Sequence, residues 1–158
     1  TIDEKSVSID IDDKDVDMQF MLAELSVIRQ VPELKQLPDW NAKINIDKDF
    51  ISKFIKAKNA LPDSENFGVA CKNGKLDIII NYSSINTNRI KFSFDCNSEE
   101  CSDLSTVCFS SNLFKEILQT NKDAESGTLE ISAAGLARAS FTSKSYTSTY
   151  YLVQLQTA

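Results

Sequence analysis

The sequence predicts an α+β fold in which one unit, a strand followed by a helix and three further strands, occurs twice. Residues 42–104 hold the first copy and residues 105–158 hold the second. Each copy opens with a short alternating apolar segment, continues with an amphipathic helix and ends with three strand-like segments. Because an amphipathic helix cannot bury its apolar stripe alone, we expect the two helices to pack side by side on one face of an antiparallel sheet.

The two predicted helices begin after capping residues and carry apolar stripes at helical spacing. Asp47 is the predicted N-cap of the first helix, and a shift of 63 residues superposes it on Ser110 before the second. The same shift superposes Ile44 on Val107, Ile46 on Phe109, Phe50 on Leu113, Phe54 on Ile117 and Ile55 on Leu118. The repeat is therefore one of pattern, spacing and element order together.

The strands are predicted from alternating or continuous apolar runs between turn residues. In the first copy they are AKINI, FGVACK, KLDIIINYS and RIKFSFDC, with a tight KNGK turn; in the second they are STVCFSS, GTLEIS, ARASFTS and TSTYYLVQLQ. Upstream, residues 1–24 are expected to hold a strand hairpin with a turn at DDKD. Residues 25–41 carry two prolines and no regular period, which is typical of an extended connector. Residues 42–158 then form the main domain.

The distribution of charge is uneven. The net charge of the whole chain is −6, which argues against a general nucleic-acid binder. However, residues 1–17 carry −5 and residues 95–103 carry −4, so the rest of the chain carries +3. No apolar run approaches the roughly 20 residues that span a bilayer, and the acidic opening does not resemble a signal peptide. We therefore expect a cytoplasmic protein with no membrane partner.

Nothing in the sequence equips the chain for catalysis. It contains no His, which removes the commonest general base and every Ser-His or Cys-His nucleophile pair. No Gly-rich phosphate loop is present. The acidic cluster of residues 10–17 resembles a calcium loop but lacks the required Gly, and Met21 stands where the loop's final Glu belongs. We expect a non-enzyme without cofactor.

The four cysteines, Cys71, Cys96, Cys101 and Cys108, are expected to be thiols because a chain of 158 residues can bury a core without disulfides. Cys96 and Cys101 are separated by four residues, a gap that zinc sites sometimes use. A second ligand pair is hard to find in a chain without His. The sequence therefore predicts no metal site.

The outward positions of both helices are rich in lysines and neutral amides. Lys53 and Lys56 on the first helix, and Lys115 and Lys122 on the second, face away from the apolar stripes. Ammonium and amide groups can meet phosphate oxygens in many registers, which suits contact with nucleic acid regardless of its sequence. For either helix alone, an ordinary solvated surface explains the same composition.

Three segments resemble the end of a DNA polymerase sliding clamp subunit: SSNLFKEIL, GTLEISAAGLARASF and TYYLVQL. The doubled strand, helix, three-strand unit is also that family's domain. The chain is most similar in character to the clamps of T-even-type tailed phages. The resemblance covers residues 42–156 well and residues 5–41 loosely, and it rests on element order.

The resemblance implies a viral processivity factor for DNA replication, a ring that encircles duplex DNA and tethers the polymerase. Expected partners are duplex DNA, a DNA polymerase, a clamp loader and further copies of the chain in a homotrimer, in the cytoplasm of an infected host cell. Lys53, Lys56, Lys115 and Lys122 match the family's DNA-facing lysines. Residues 1–24 would be the remnant of a preceding clamp domain, and residues 25–41 the interdomain connector. Truncation and a naturally shorter relative both stay open.

The resemblance also implies two protein-binding regions. A pocket for partner peptides would use Leu136, Tyr151, Leu152 and Val153, roofed by Val31 and Leu34, although each of these can equally be a core or connector anchor. Subunits would associate through strand edges that contain Phe20, Leu22, Arg89 and Phe92.

Two rival interpretations remain. One is a β-rich adaptor or virion assembly module that reuses the duplicated unit without touching DNA. The other is an enzyme that uses the acidic cluster of residues 10–17 with Mg²⁺.

Overall fold

The computed structural model describes residues 8–27, 36–85, 87–96 and 101–156. The chain divides into two compact units, Thr1–Leu37 and Pro38–Ala158. In the first unit, strand β1 (Ser8–Asp13) pairs antiparallel with β2 (Val16–Met21). A 3-10 turn follows at Leu25–Val27. The hairpin predicted at the start of the chain is confirmed.

The described residues of the second unit form two helices and eight strands. In chain order these are β3 (Ala42–Asn45), α1 (Lys48–Ala60), β4 (Asn66–Lys72), β5 (Lys75–Ile80), β6 (Ile90–Asp95), β7 (Leu104–Ser110), α2 (Ser111–Thr120), β8 (Ser126–Ser132), β9 (Leu136–Thr142) and β10 (Thr147–Val153). The predicted α+β class and the duplicated unit are confirmed. Within the described part of the chain, no helix is long and apolar enough to cross a membrane.

The eight strands form two antiparallel sheets of four. The first strand of each repeat belongs to the sheet of the other repeat. One sheet has the order β10-β9-β8-β3, and the second has the order β6-β5-β4-β7. Strand β3 of the first repeat thus pairs with β8 of the second, and β7 of the second repeat pairs with β4 of the first. Because each exchanged strand leads directly into a helix, the exchange places both helices against a common core.

Both helices start where the capping residues predict. The Asp47 carboxylate accepts a hydrogen bond from the Phe50 amide at 2.7 Å, and the Ser110 hydroxyl accepts one from the Leu113 amide at 3.3 Å. Each cap satisfies one of the amides that a helix N-terminus leaves without an intrahelical partner. These two side chains therefore define the point at which each exchanged strand becomes a helix.

Two glycines are required by the backbone and the packing of the sheets. Asn73 and Gly74 both adopt positive φ angles, of 53° and 72°, in the tight turn between β4 and β5. This confirms the predicted KNGK hairpin, since such turns favour the Asn-Gly pair. Gly127 in β8 is required by space instead. A Cβ there would lie 2.9 Å from the Phe141 ring, so a larger residue would displace the ring or the strand.

Aromatic side chains hold the helices to the strands. Phe54 of α1 contacts the Phe114 ring of α2 edge-on, with the ring centroids 4.9 Å apart, and contacts the Phe67 ring of β4 at 5.3 Å. Phe67 and Phe114 stack at 5.0 Å. All three side chains are fully buried. Edge-on and stacked aromatic pairs contribute beyond their buried area, so this trio links α1, α2 and β4.

The second helix is rotated relative to the simplest alignment of the repeats. Leu113, which the 63-residue shift superposes on buried Phe50, is 48% exposed, while its neighbour Phe114 is fully buried. Phe114 occupies the space between the rings of Phe54 and Phe67, which a leucine at position 113 does not reach. The expectation that Leu113 belongs to the apolar stripe is wrong for this reason.

The core assignment predicts opposite outcomes for two truncations of large apolar side chains. Phe54→Ala should lower the free energy of unfolding by about 3–5 kcal/mol, because it removes the ring that joins α1 to α2 and leaves a cavity. Leu113→Ala should lower it by less than about 1 kcal/mol, because that side chain is half exposed. Denaturant unfolding followed by circular dichroism measures both. Equal losses from the two variants would contradict this description of the core.

Candidate nucleic-acid interface

The two helices lie side by side and turn their polar sides to solvent. Their apolar sides join one core cluster, and the Lys115 ammonium of α2 donates a hydrogen bond at 2.7 Å to the Asn59 side-chain oxygen of α1. What we call the lysine face comprises exposed or partly exposed polar residues of the two helices, together with Lys122 two residues beyond the end of α2: Lys48, Lys53, Lys56, Asn59, Lys115, Gln119 and Lys122. The predicted pairing of the helices is thus present in the structure.

Lys53 and Lys56 lie on α1 and Lys115 lies on α2, as predicted. The prediction that Lys122 lies on the second helix is wrong, because α2 ends at Thr120 and Lys122 is in the turn that follows. The four lysines also differ in their partners. Lys56 and Lys122 are exposed, and among the described residues neither forms an ion pair or hydrogen bond. Lys53 pairs with Asp49 one turn earlier at 2.6 Å, and Lys115 is held by Asn59. The hydrogen bond and the charge of Asp49 raise the pKa of Lys53 above its ordinary value. Lys53 is therefore held as a cation beside Asp49.

The lysine face has acidic neighbours, among them Asp47 and Asp49 beside Lys53 and the exposed Glu116 of α2. Asp49 is exposed beside Lys53, and exposed Glu116 lies in a shallow groove between α2 and β10 with Leu113 and Tyr151. Exposed ion pairs exchange readily with solvent and with other ions. Asp49 therefore reduces the positive potential around Lys53, but a phosphate group can still replace Asp49 as the partner of Lys53. The lysine face can thus hold a polyanion loosely.

One lysine of α1 has a structural role instead. Lys58 lies two residues after Lys56, so helical spacing places it on the opposite side of α1. It is only 4% exposed, and its ammonium donates a hydrogen bond to the Pro62 carbonyl at 2.6 Å. A cation at the C-terminal end of a helix is stabilised by the unpaired carbonyls there. Lys58 therefore fixes the loop after α1 and is not available to a ligand.

The residues predicted for a partner-peptide pocket are only partly brought together. Tyr151 is 37% exposed and Val153 is 71% exposed, both on the outer side of β10, and Leu136 is the cross-strand neighbour of Val153. Leu152 points the opposite way and is 2% exposed within the core. Val31 and Leu34 lie outside the described residues.

Sequence reasoning missed the polar row beside these residues. The strand register aligns Glu130, Arg138 and Tyr151 across β8, β9 and β10. Arg138 forms an ion pair with Glu130 at 2.6 Å, and its guanidinium lies 4.8 Å from the centre of the Trp40 ring. The alternation of polar and apolar residues in GTLEIS and ARASF indicates that Glu130 and Arg138 lie on the outer face of their strands. Only the strand register shows that Glu130, Arg138 and Tyr151 are neighbours. The row anchors Trp40 on the outer face of the sheet.

The predicted subunit edges are strand edges in the structure. Strand β6 has a hydrogen-bonded neighbour on one side only, and β2 pairs only with β1 among the described residues. Arg89 is exposed just before β6, whereas Phe92 packs partly against the core. In the first unit, Phe20 is 54% exposed on β2 and Leu22 is half-buried just after it. Both edges offer unpaired backbone groups to another strand.

Strand β6 is tied to the sheet through Asp77 of β5. The Asp77 carboxylate accepts hydrogen bonds from the Lys91 ammonium at 2.8 Å and from the Ser93 hydroxyl at 2.6 Å. Partial burial raises the pKa of Asp77, but the hydrogen bonds from Lys91 and Ser93 outweigh it, so the net pKa lies below the ordinary value. This cluster holds the outer side of the edge strand.

Three of the four cysteines meet in space. The sulfur atoms of Cys71, Cys96 and Cys101 all lie within 4.8 Å of one another. Burial raises the pKa of the Cys101 thiol, and the neighbouring Cys71 and Cys96 raise it further. Sequence reasoning considered the pair Cys96 and Cys101 but missed Cys71, because the residue is far from both along the chain and only the sheet brings it close.

Comparison with solved structures identifies the fold. The structure of proliferating cellular nuclear antigen from Entamoeba histolytica matches 90% of this chain and 57% of its own, with a TM-score of 0.65 and 16% identity. The PCNA2-PCNA3 complex of Sulfolobus tokodaii matches 94% of this chain and 60% of its own, with a TM-score of 0.68 and 10% identity. PCNA of A. fulgidus, solved with the C-terminal region of FEN-1, matches 99% and 63%, with a TM-score of 0.69 and 17% identity.

These matches show that the chain has the fold of sliding-clamp domains of the PCNA type. The chain spans about 60% of the length of the clamps it matches. No protein-family model matches the sequence, and no curated protein sequence matches it. The likeness is therefore one of fold, and the assignment of function depends on the surfaces described above.

The Asp77 cluster predicts a stability difference that depends on pH. Asp77→Asn should lower the free energy of unfolding by about 1 kcal/mol at neutral pH, because it removes the charge that Lys91 and Ser93 stabilise. The folded-state pKa of Asp77 is depressed, so this stability is fully present above the unfolded pKa of about 3.9 and is lost as pH falls through the lower folded value. Asp95→Asn, an exposed change on the same edge, is the control. A difference in unfolding free energy between Asp77→Asn and the unmodified chain that stays constant from neutral to acid pH would contradict the stabilising role of the Asp77 carboxylate.

Proposed function

We propose that this chain is part of a sliding clamp, a non-enzymatic DNA polymerase processivity factor whose subunits form a ring around duplex DNA. One observation supports the proposal: the two helices of the clamp-type fold are adjacent, and lysines are exposed or partly exposed along them and just after α2, in a chain that is acidic overall. Acidic segments elsewhere and a basic helix face are the charge pattern that an encircled polyanion requires.

The lysine face is suited to loose contact with DNA and not to tight binding. Flexible ammonium groups on two helices can reach phosphates in many registers, so no DNA sequence is preferred. No described aromatic side chain lies among the lysines to stack on a base. In a ring, retention on DNA follows from topology, and strong phosphate contacts would only slow sliding. The ion pair of Lys53 and the hydrogen bond of Lys115 fit this need for weak contact.

The strand edges support a closed ring of identical subunits. The free edge of β6 and the exposed strand β2 with Phe20 are different surfaces, so their pairing would be head to tail, and a head-to-tail contact closes into a ring at a suitable rotation. We propose a homotrimer of a longer subunit whose last part is the present chain, in the group of T-even-type phage clamps. A viral source and the cytoplasm of the infected host follow from that proposal.

The outer face beside β10 supports binding of a partner peptide. Exposed Tyr151 and Val153, with Leu136 next to them, offer apolar area on the same side as Trp40. A protein with a similar structure, PCNA of A. fulgidus, was solved with the C-terminal region of FEN-1 bound. We propose that an apolar peptide of the polymerase or the clamp loader docks here.

Charge reversal on the lysine face tests the proposed function. Lys56→Glu combined with Lys122→Glu should weaken binding of the chain to a fluorescent DNA duplex at low ionic strength by about tenfold or more, and should lower the salt dependence of binding, because fewer counterions are released. Both residues are exposed, so circular dichroism and melting temperature should not change. Fluorescence anisotropy over a salt series provides the measurement.

A matched control variant distinguishes an effect of the lysine face on DNA binding from an effect of net charge. Lys75→Glu combined with Lys144→Glu makes the same change in charge at exposed positions away from the lysine face. This control should retain binding within about twofold of the unmodified chain. Equal weakening by both double variants would show that net charge alone governs binding. No DNA binding by the unmodified chain would favour the adaptor or virion assembly module.

A further inference from the structure

Three cysteines from separate parts of the chain converge at one end of the β6-β5-β4-β7 sheet. Cys71 lies in β4, Cys96 directly follows β6, and Cys101 precedes β7. Their sulfur atoms lie within 4.8 Å of one another. Cys71 is 2% exposed and Cys101 is 7% exposed, whereas Cys96 is partly open to solvent. We call this group the thiol triad.

Backbone contacts hold each member of the thiol triad in place. Cys71 is paired with Leu76 on one side and Leu104 on the other, inside the sheet. The Cys96 amide donates a hydrogen bond to the Gly74 carbonyl at 2.9 Å, and Cys101 forms an isolated bridge with Ala42. The three sulfurs are therefore positioned by the fold itself.

The spacing of the sulfurs fits a common metal ion. Zinc binds thiolate sulfur at about 2.3 Å, so two sulfurs in a tetrahedral site lie about 3.8 Å apart. Sulfurs within 4.8 Å of one another exceed that separation by at most about 1 Å, so binding requires only a small approach of the three sulfurs. Cys96 and Cys101 are also separated by four residues, a spacing used by zinc chelates.

We propose that the thiol triad binds Zn²⁺ through three thiolates, with water in the fourth position on the partly open side of Cys96. Thiolates are the ligands that thiophilic ions such as zinc prefer. Three thiolates around a divalent cation leave a single net negative charge. The ion therefore offsets most of the negative charge of three thiolates, two of which are buried. The site is independent of the DNA-binding proposal.

The location of the site gives it a structural consequence. The ion would link the end of the edge strand β6 to β4 and to the segment that enters β7. A ligand that binds only the folded state stabilises it by an amount that rises with the logarithm of the ratio of ligand concentration to Kd. Metal loading is thus expected to stiffen the end of β6, the edge proposed for subunit contact.

Titration with Co²⁺, a coloured substitute for Zn²⁺, tests the site directly. With the chain kept reduced by a phosphine, Co²⁺ should produce a sulfur-to-metal charge-transfer band that saturates at about one ion per chain and disappears on addition of Zn²⁺. Zn²⁺ should also raise the melting temperature. Cys71→Ser, Cys96→Ser and Cys101→Ser should each weaken Co²⁺ binding by about tenfold or more.

Cys108→Ser is the matched control, because Cys108 is also buried but lies outside the thiol triad. It should retain the band and the thermal shift. Cys96→Ser is the variant least disruptive to the core, since Cys96 is the least buried of the three, and its folding is checked by circular dichroism. Absence of the band in the reduced chain, its persistence in Cys96→Ser, or its equal loss in Cys108→Ser would each overturn the proposal. None of these results bears on DNA binding.

Discussion

The packing of Phe54 against Phe114 and Phe67 is the contact on which the rest of the structure depends. It joins one ring from each helix to a ring from the central strand β4. Close-packed aromatic rings allow few relative orientations, so the two helices cannot rotate independently. With their apolar sides fixed, the polar sides of both helices share one direction, and the lysine face exists as a single surface.

The exchange of first strands between the repeats supports this packing. Strand β3 belongs to the sheet of the second repeat and β7 to the sheet of the first. Each repeat therefore completes the other's sheet, and neither has a full set of strands alone. Both helices enter the same core from the exchanged strands. The cap residues Asp47 and Ser110 then set the point where each helix begins.

Local features of the sequence were sufficient to predict most elements, whereas contacts between distant residues were not. Asp47, Ser110 and the Asn-Gly turn act within a few residues, so their roles can be inferred from spacing. Strand exchange, and the meeting of Cys71 with Cys96, depend on which strands pair. The exposure of Leu113 and the burial of Lys58 depend on small rotations of helices that a pattern does not define. The proposed DNA-contacting lysines were predictable only in part. Helical spacing predicted that Lys53 and Lys56 are exposed, but the ion pair of Lys53 with Asp49 and the hydrogen bond of Lys115 with Asn59 became visible only in the structure.

The central claim is that the exposed side of the paired helices is the surface that meets DNA. Nuclear magnetic resonance spectra of the isotope-labelled chain, recorded with increasing amounts of a short duplex, test it residue by residue. The account predicts shifts concentrated at exposed positions of α1 and α2, including Lys56, and at Lys122 just after α2, with little change along β8, β9 and β10. Shifts confined to those strands, or no shifts at low ionic strength, would contradict it.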